Sequence, residues 1–181
     1  LTNLDGSGSC NIDVTCSQGA GWAGEISASA AISTGGSIFC SGSMINNTAQ
    51  DGRNFFLTAY HCGVNSGAAS SLVCYWNYDA VTCGSNSAPL NQFTIGATYR
   101  AGYSSSDFPL LELNSTPNSA WGVTYAGWSR ATGNASSAVA MDEDVQALSN
   151  PSAMAAAARA QAATQQESPA AAGAATEDAA A

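Results

Sequence analysis

Lysine is missing from this chain altogether, and histidine occurs only once, at position 61. The only cations are Arg53, Arg100, Arg130 and Arg159, set against thirteen acidic residues for a net charge of −9. Nucleic-acid binding needs clustered cations to displace counterions from phosphates, so this composition excludes it. Docking onto an anionic membrane surface is disfavoured for the same reason. Charged residues make up 9% of the chain, well under the usual level of about 25%. No apolar run approaches the ~18 residues of a membrane span. The start at Leu1 carries neither a basic nor an apolar leader segment, so any secretion signal is expected to have been removed already. No two cysteines form a C-x-x-C pair, and a lone histidine cannot complete the usual zinc spacings, so neither metal nor cofactor is expected.

What fills the space left by the charges is serine, threonine, asparagine and glycine, a composition that suits a β-rich extracellular protein. The six cysteines, Cys10, Cys16, Cys40, Cys62, Cys74 and Cys83, are widely spaced. In a polar chain this reads as disulfides and hence an oxidising compartment, so the protein is expected to be secreted.

Two regions differ in kind. Residues 1–140 hold every cysteine, every aromatic and the histidine, whereas residues 141–181 hold none of these and are rich in alanine and acid. In the first region short apolar stretches alternate with Gly, Asn and Ser clusters, the pattern of an all-β sandwich or barrel. Expected strands are Glu25–Ile32, Gly36–Ile45, Asn54–Ala59, Ser71–Tyr78, Gly96–Tyr103, Phe108–Asn114 and Val123–Ser129. No sustained 3.6-residue period runs through them, so helices should be short. The second region is expected to be a low-complexity tail, mobile or locally helical from about Pro151 to Gln166, since alanine favours helix but isolated helices of that length are marginal. Its abrupt onset near Met141 also fits a shifted reading frame.

His61 is the only imidazole available for proton transfer. It follows an apolar run and precedes Cys62, in the string Phe55-Phe56-Leu57-Thr58-Ala59-Tyr60-His61-Cys62-Gly63. A disulfide beside the ring would hold it in place, and a general base must sit within about 3 Å of the proton it takes. A histidine that merely ends a strand is the plain alternative. Thr58-Ala59-Tyr60-His61-Cys62 nevertheless resembles the T-A-x-H-C signature of trypsin-like serine endopeptidases. Upstream, Cys40-Ser41-Gly42-Ser43-Met44-Ile45 resembles that family's C-x-G-S-[LIM]-[IV] strand.

A triad histidine needs a carboxylate that fixes its tautomer. Asp107 opens the run Asp107-Phe108-Pro109-Leu110-Leu111-Glu112-Leu113 and matches the family's aspartate, although an aspartate before a strand is ordinarily a turn cap. Glu112, alternating with Leu111 and Leu113, should face solvent. Further segments resemble the lysyl endopeptidase branch of secreted bacterial proteases. These are Ser9 to Val14, Tyr75-Trp76-Asn77-Tyr78 followed by Cys83, and Ala126-Gly127-Trp128, where Ser129 replaces the more usual aspartate. The resemblance covers residues 1 to about 140.

It implies an antiparallel trypsin-like β-barrel, the first of two, with His61 and Asp107 catalytic. It also implies Cys40–Cys62 and Cys16–Cys83 bridges, leaving Cys10 and Cys74 as free thiols or as partners of each other. A buried thiol is the favoured state for Cys74. The absence of lysine is then either compositional or an advantage to a protease that cuts after lysine.

In the family the nucleophilic serine sits in the second barrel, in a G-x-S-G-[GS]-P motif. This sequence leaves the family pattern after Ser137-Ala138-Val139-Ala140. Asp5-Gly6-Ser7-Gly8 resembles the motif superficially but lies in the amino-terminal segment. The expectation is therefore a serine-type endopeptidase domain, cutting proteins or peptides after lysine as its branch implies, that is truncated before its nucleophile and inactive alone. Its partner would be a complementing second barrel. A non-catalytic pseudoprotease binding module, with an apolar face left by the missing barrel, is the alternative.

Overall fold

A computed structural model describes residues 2–3, 12–85 and 87–128. Among them the chain forms the strands β1 (Thr2–Asn3), β2 (Ser29–Ser33), β3 (Ile38–Ile45), β4 (Phe55–Thr58), β5 (Val73–Trp76), β6 (Ser87–Ala88), β7 (Phe93–Ile95), β8 (Ala97–Tyr103) and β9 (Phe108–Leu113). One six-residue helix, α1 (Ala23–Ala28), precedes β2. All strand pairs are antiparallel. β1 and β6 form a two-stranded ribbon, and the other seven strands form one sheet in the order β7-β5-β2-β3-β4-β9-β8.

The two ends of that order are one piece of chain. A single residue, Gly96, separates β7 from β8. Its N–H donates to Leu72 O at 2.7 Å, on the β5 side, and its carbonyl accepts from Asn114 N–H at 3.0 Å, on the β9 side. The sheet therefore curls until one bent strand serves both edges, and the ring closes as an all-β antiparallel barrel. The bend needs φ +81 at Gly96, and a Cβ there would lie 2.7 Å from Asn114 Nδ2. Glycine alone meets both conditions without strain.

Alternation places the core. On β4 and β9 the inward residues are Phe56, Thr58, Pro109, Leu111 and Leu113. Phe56, Leu111 and Leu113 join Ile32, Met44, Leu72, Cys74 and Trp76 in one core cluster inside the barrel. Phe56 and Trp76 pack edge to face with ring centroids 6.0 Å apart, a geometry worth about 0.5–1.5 kcal/mol beyond the buried area. The one polar atom of the Trp76 ring finds a partner, since Nε1 donates to Thr94 Oγ1 at 3.2 Å.

Two expected strands differ. The first part of Glu25–Ile32 is α1, and extended chain begins only at Ser29. The Ser27 hydroxyl donates to Ala23 O and the Ser29 hydroxyl to Glu25 O, and Thr124 Oγ1 caps Gly24 O. These local bonds outweigh the alternation of the sequence. The second difference follows from the first. With helix in place of strand before Ser29, β3 loses its β2 neighbour beyond Ser43. Ala126 fills the gap, donating to Met44 O at 2.8 Å and accepting from Asn46 N–H. The described part of Val123–Ser129 is thus a single parallel bridge, Ile45 to Ala126, and not a strand. β7 was not expected at all, because Phe93-Thr94-Ile95 is too short to show a period. The boundary near residue 140 and the alanine-rich tail lie outside the described residues.

Candidate active site

The register of β4 on β9 builds the site. Phe55 pairs with Glu112, Phe56 with Leu111 and Leu57 with Leu110. Continued past the end of β4, the same register brings Tyr60 opposite Asp107, and Tyr60 N–H donates to Asp107 O at 3.1 Å. His61 sits in a tight turn, Tyr60–Cys62, closed by Gly63 at φ 76. Asp107 stands immediately before β9, after a second such turn, Ser104–Ser106. The two residues, far apart in sequence, therefore meet at one rim of the barrel.

The aspartate grips the histidine twice. Asp107 Oδ2 lies 2.7 Å from His61 Nδ1, and Asp107 Oδ1 accepts from His61 backbone N–H at 2.9 Å. A carboxylate only accepts hydrogen bonds, so a neutral imidazole here carries its hydrogen on Nδ1 and keeps Nε2 as a bare acceptor. Asp107 makes both contacts from the left-handed conformation, φ 52 and ψ 42. That conformation costs a non-glycine residue about 1–2 kcal/mol, which the two charge-assisted bonds offset.

A second set of contacts fixes the turn. Cys62 bonds to Cys40 on β3, with Cα atoms 6.0 Å apart. Thr58, buried at the end of β4, donates to Ser41 O at 2.6 Å and lies 3.6 Å from Cys62 Sγ. A ring nitrogen of His61 and the sulfurs of Cys40 and Cys62 lie within 4.8 Å of one another. The pair itself is open: the side chains of His61 and Asp107 are 49% and 46% exposed. Tyr60 and Tyr103, from the two segments that carry them, are exposed too.

Cys16–Cys83 is the second bridge. Cys74 is a free, buried thiol facing the barrel interior, and burial pushes its ionisation far above the ordinary range; Cys10 and Asp5 to Gly8 lie outside the described residues. Glu112 points outward as alternation requires, yet its side chain is only 18% exposed. Arg53 grips it through both oxygens, at 3.0 and 2.6 Å, and Arg100 adds a bond of 2.7 Å. The Arg53 hydrogen bonds, and then those of Arg100, hold its carboxyl below the usual glutamate range. The grip of Asp107 on the His61 backbone and its left-handed conformation were not foreseen. No residue type announces them, since both depend on where β9 begins.

Comparison with known proteins agrees with this architecture. The profile of the family described as lysyl endopeptidase, C-terminal domain, matches residues 4–178. A lysyl endopeptidase from Pseudomonas aeruginosa is 33% identical over 135 residues, which are 68% of this chain and 29% of that protein. The chain thus spans less than a third of the length of this relative. A closed antiparallel barrel, a histidine and an aspartate paired at its rim, and a profile match along nearly the whole sequence converge, and the chain belongs to the lysyl endopeptidase family of trypsin-like serine endopeptidases.

Proposed function

We propose that this chain supplies the proton-transfer half of a lysyl-type serine endopeptidase, with His61 as general base and then general acid and Asp107 as its orienter. The observation that carries the reading is the bond of 2.7 Å between His61 Nδ1 and Asp107 Oδ2, with Nε2 left open on an exposed ring. In this role Nε2 takes the proton of a serine hydroxyl as its oxygen attacks the scissile carbonyl, and later passes it to the departing amine. Asp107 stays ionised and stabilises the imidazolium. The substrate is a protein or peptide, and the lysine preference rests on the names of the matching family and relative.

On the same reading the protease domain ends near residue 140, and within these 181 residues no serine is activated. The nucleophile, its oxyanion hole and the side-chain pocket come from a second barrel. Without them a His–Asp pair is inert, since even the residual catalysis of triad mutants, about 10³–10⁴ over water, comes from the oxyanion hole and substrate binding. Two disulfides support an extracellular site of action. The exposed Tyr60 and Tyr103 beside the pair favour one second reading, a non-catalytic module that binds a protein through this rim.

Fluorophosphonate labelling of the purified chain, read by intact mass and peptide mapping, tests the proposal. No adduct is expected on the chain alone. Labelling should appear, on the added polypeptide, when a second barrel from a lysyl endopeptidase is supplied, and His61→Ala should abolish it. An adduct on a serine of this chain that depends on His61 would overturn the missing nucleophile. Binding of the second barrel without labelling would favour the binding module.

A further inference from the structure

The disulfide beside the histidine holds more than a mechanical role. We infer that reduction of Cys40–Cys62 converts Cys40, Cys62 and His61 into a three-ligand site for zinc or a cation of similar softness, and that the metal captures the histidine ring. A ring nitrogen of His61 already lies within 4.8 Å of both sulfurs, which the disulfide holds together. In the oxidised chain the sulfurs are spent on each other and offer no thiolate. A dithiol reductant gives up two electrons and two protons, becoming a disulfide while Cys40 and Cys62 become thiols. Metal binding then releases the two thiol protons to solvent, and the imidazole binds through a lone pair.

The backbone keeps the thiols near each other once the bond is cut. Cys40 is held in β3 opposite Ile32 of β2, and β4 joins β3 from Gly42 onward. Cys62 is held by its N–H to Ala59 O, by Gly63 N–H to Tyr60 O and by the Thr58 hydroxyl on Ser41 O. Their Cα atoms are 6.0 Å apart. Tetrahedral zinc with Zn–S of about 2.3 Å sets its sulfurs about 3.8 Å apart, so side-chain rotation opens the site with the strands in place. Two thiolates and an imidazole are soft donors that suit Zn²⁺ over Mg²⁺ or Ca²⁺. The half-exposed ring leaves an entry path and room for water as fourth ligand.

Asp107 completes the arrangement. It occupies Nδ1, leaving Nε2 as the free nitrogen, and a carboxylate behind a ligating histidine is the usual support of such sites. A metal on Nε2 blocks the proton transfer proposed above. Only that consequence rests on the proposed function; metal binding does not.

Because His61 is the sole histidine, ring-¹⁵N labelling of the full chain gives one imidazole to watch. The chain is reduced anaerobically with a phosphine, freed of it, and given one equivalent of Zn²⁺. The His61 Nε2 resonance should move to the metal-bound position in the reduced chain and stay in place in the oxidised chain. Co²⁺ in place of zinc should give the intense visible absorption of tetrahedral coordination. Asp107→Asn should weaken binding about 10- to 100-fold. The joint variant Cys40→Ser with Cys62→Ser keeps every other thiol and should leave His61 unmoved.

An unmoved His61 in the reduced chain, or the same shift in the double-serine variant, overturns the inference. The variant Cys62→Asp guards against unfolding on reduction, because it leaves Cys16–Cys83 oxidised and presents a thiol, an imidazole and a carboxylate. It should bind Co²⁺ through His61 without reductant, and failure to do so, with the fold intact by circular dichroism, counts equally against the site.

Discussion

Gly42, opposite Thr58 in the β3–β4 ladder, is a tight point of the barrel wall near the active site. A Cβ at this position would fall inside contact distance of Phe56 Cε1 and lie 2.6 Å from both Phe56 Cζ and Leu57 O. Phe56 is fully buried and packs on Trp76, so the ring has nowhere to go. Leu57 O belongs to the neighbouring strand, so the wall cannot yield on that side without breaking the β3–β4 ladder. Gly42→Ala should therefore cost about 3 kcal/mol, the upper end of overpacking in a closed core. That is about two orders of magnitude in the folding equilibrium. With a urea m-value of about 1.5–2 kcal/mol/M, the midpoint should fall by roughly 1.5–2 M.

The assay is urea unfolding of the oxidised chain followed by tryptophan fluorescence. Phe56→Leu provides the second arm, because removing the ring relieves one of the two clashes and leaves Leu57 O. The cost of Gly42→Ala should drop by about 1 kcal/mol in that background, a coupling typical of residues in contact. A cost under about 0.5 kcal/mol in the native background, the range of a free surface position, would refute the close packing of β3 on Phe56. Strict additivity would refute the ring as its cause.

Three other outcomes are expected. The Glu112 carboxyl is depressed in the folded state, first by Arg53 and then by Arg100. Its stabilisation is therefore complete above the ordinary value of 4.5 and is lost as pH falls through the lower folded value. Glu112→Gln should flatten the fall of the urea midpoint with acid in that window; an unchanged profile would show the arginine grip to be idle. Asp51, lowered in the same direction by the Asn47 side chain, leaves a residual slope. The buried thiol of Cys74 should resist iodoacetamide in the folded chain and label fully in denaturant, as read by peptide mapping. Replacing Cys16 and Cys83 by serine should cost about 4 kcal/mol, and replacing Cys40 and Cys62 about 3 kcal/mol, because the first loop is longer. The loops span 67 and 22 residues, and the reverse order in urea melts would mean that strain or residual structure dominates.

The parts of this molecule that the sequence announces are those where one residue type has one use. His61 and Asp107 stand in strings whose neighbours mark them, Thr58 to Cys62 and Asp107 to Leu113. Phe55–Thr58 and Phe108–Leu113 alternate cleanly, so their strands and inward residues were legible. The failures lie where short polar side chains choose between backbone partners. Glu25 to Ile32 alternates like a strand, yet Ser27 and Ser29 bond back to carbonyls one turn earlier and make the first half a helix. Val123 onward looked like a strand because it is apolar, but its role is to plug the gap that this helix leaves beside β3. Thr94 gave no sign that it would share the barrel interior with Cys74 and the Trp76 ring nitrogen. Those partners are set by the β5–β7 register, a long-range property that no local window contains.

The bend at Gly96 governs how this barrel meets its own copies. Because a single strand closes the ring, few backbone N–H and C=O groups among the described residues of this sheet are left in a row for another chain to add a strand to. The stretch that does overhang is the far half of β8, paired to β9 on one side. There the ladder slips between Tyr99 and Ala101, and the residue at the slip is Arg100, held by Glu112. An irregular, charged edge is a poor template for edge-to-edge growth. Deleting Arg100 would straighten that edge and remove its charge together, and light scattering of such a variant should rise at concentrations where the native chain stays clear.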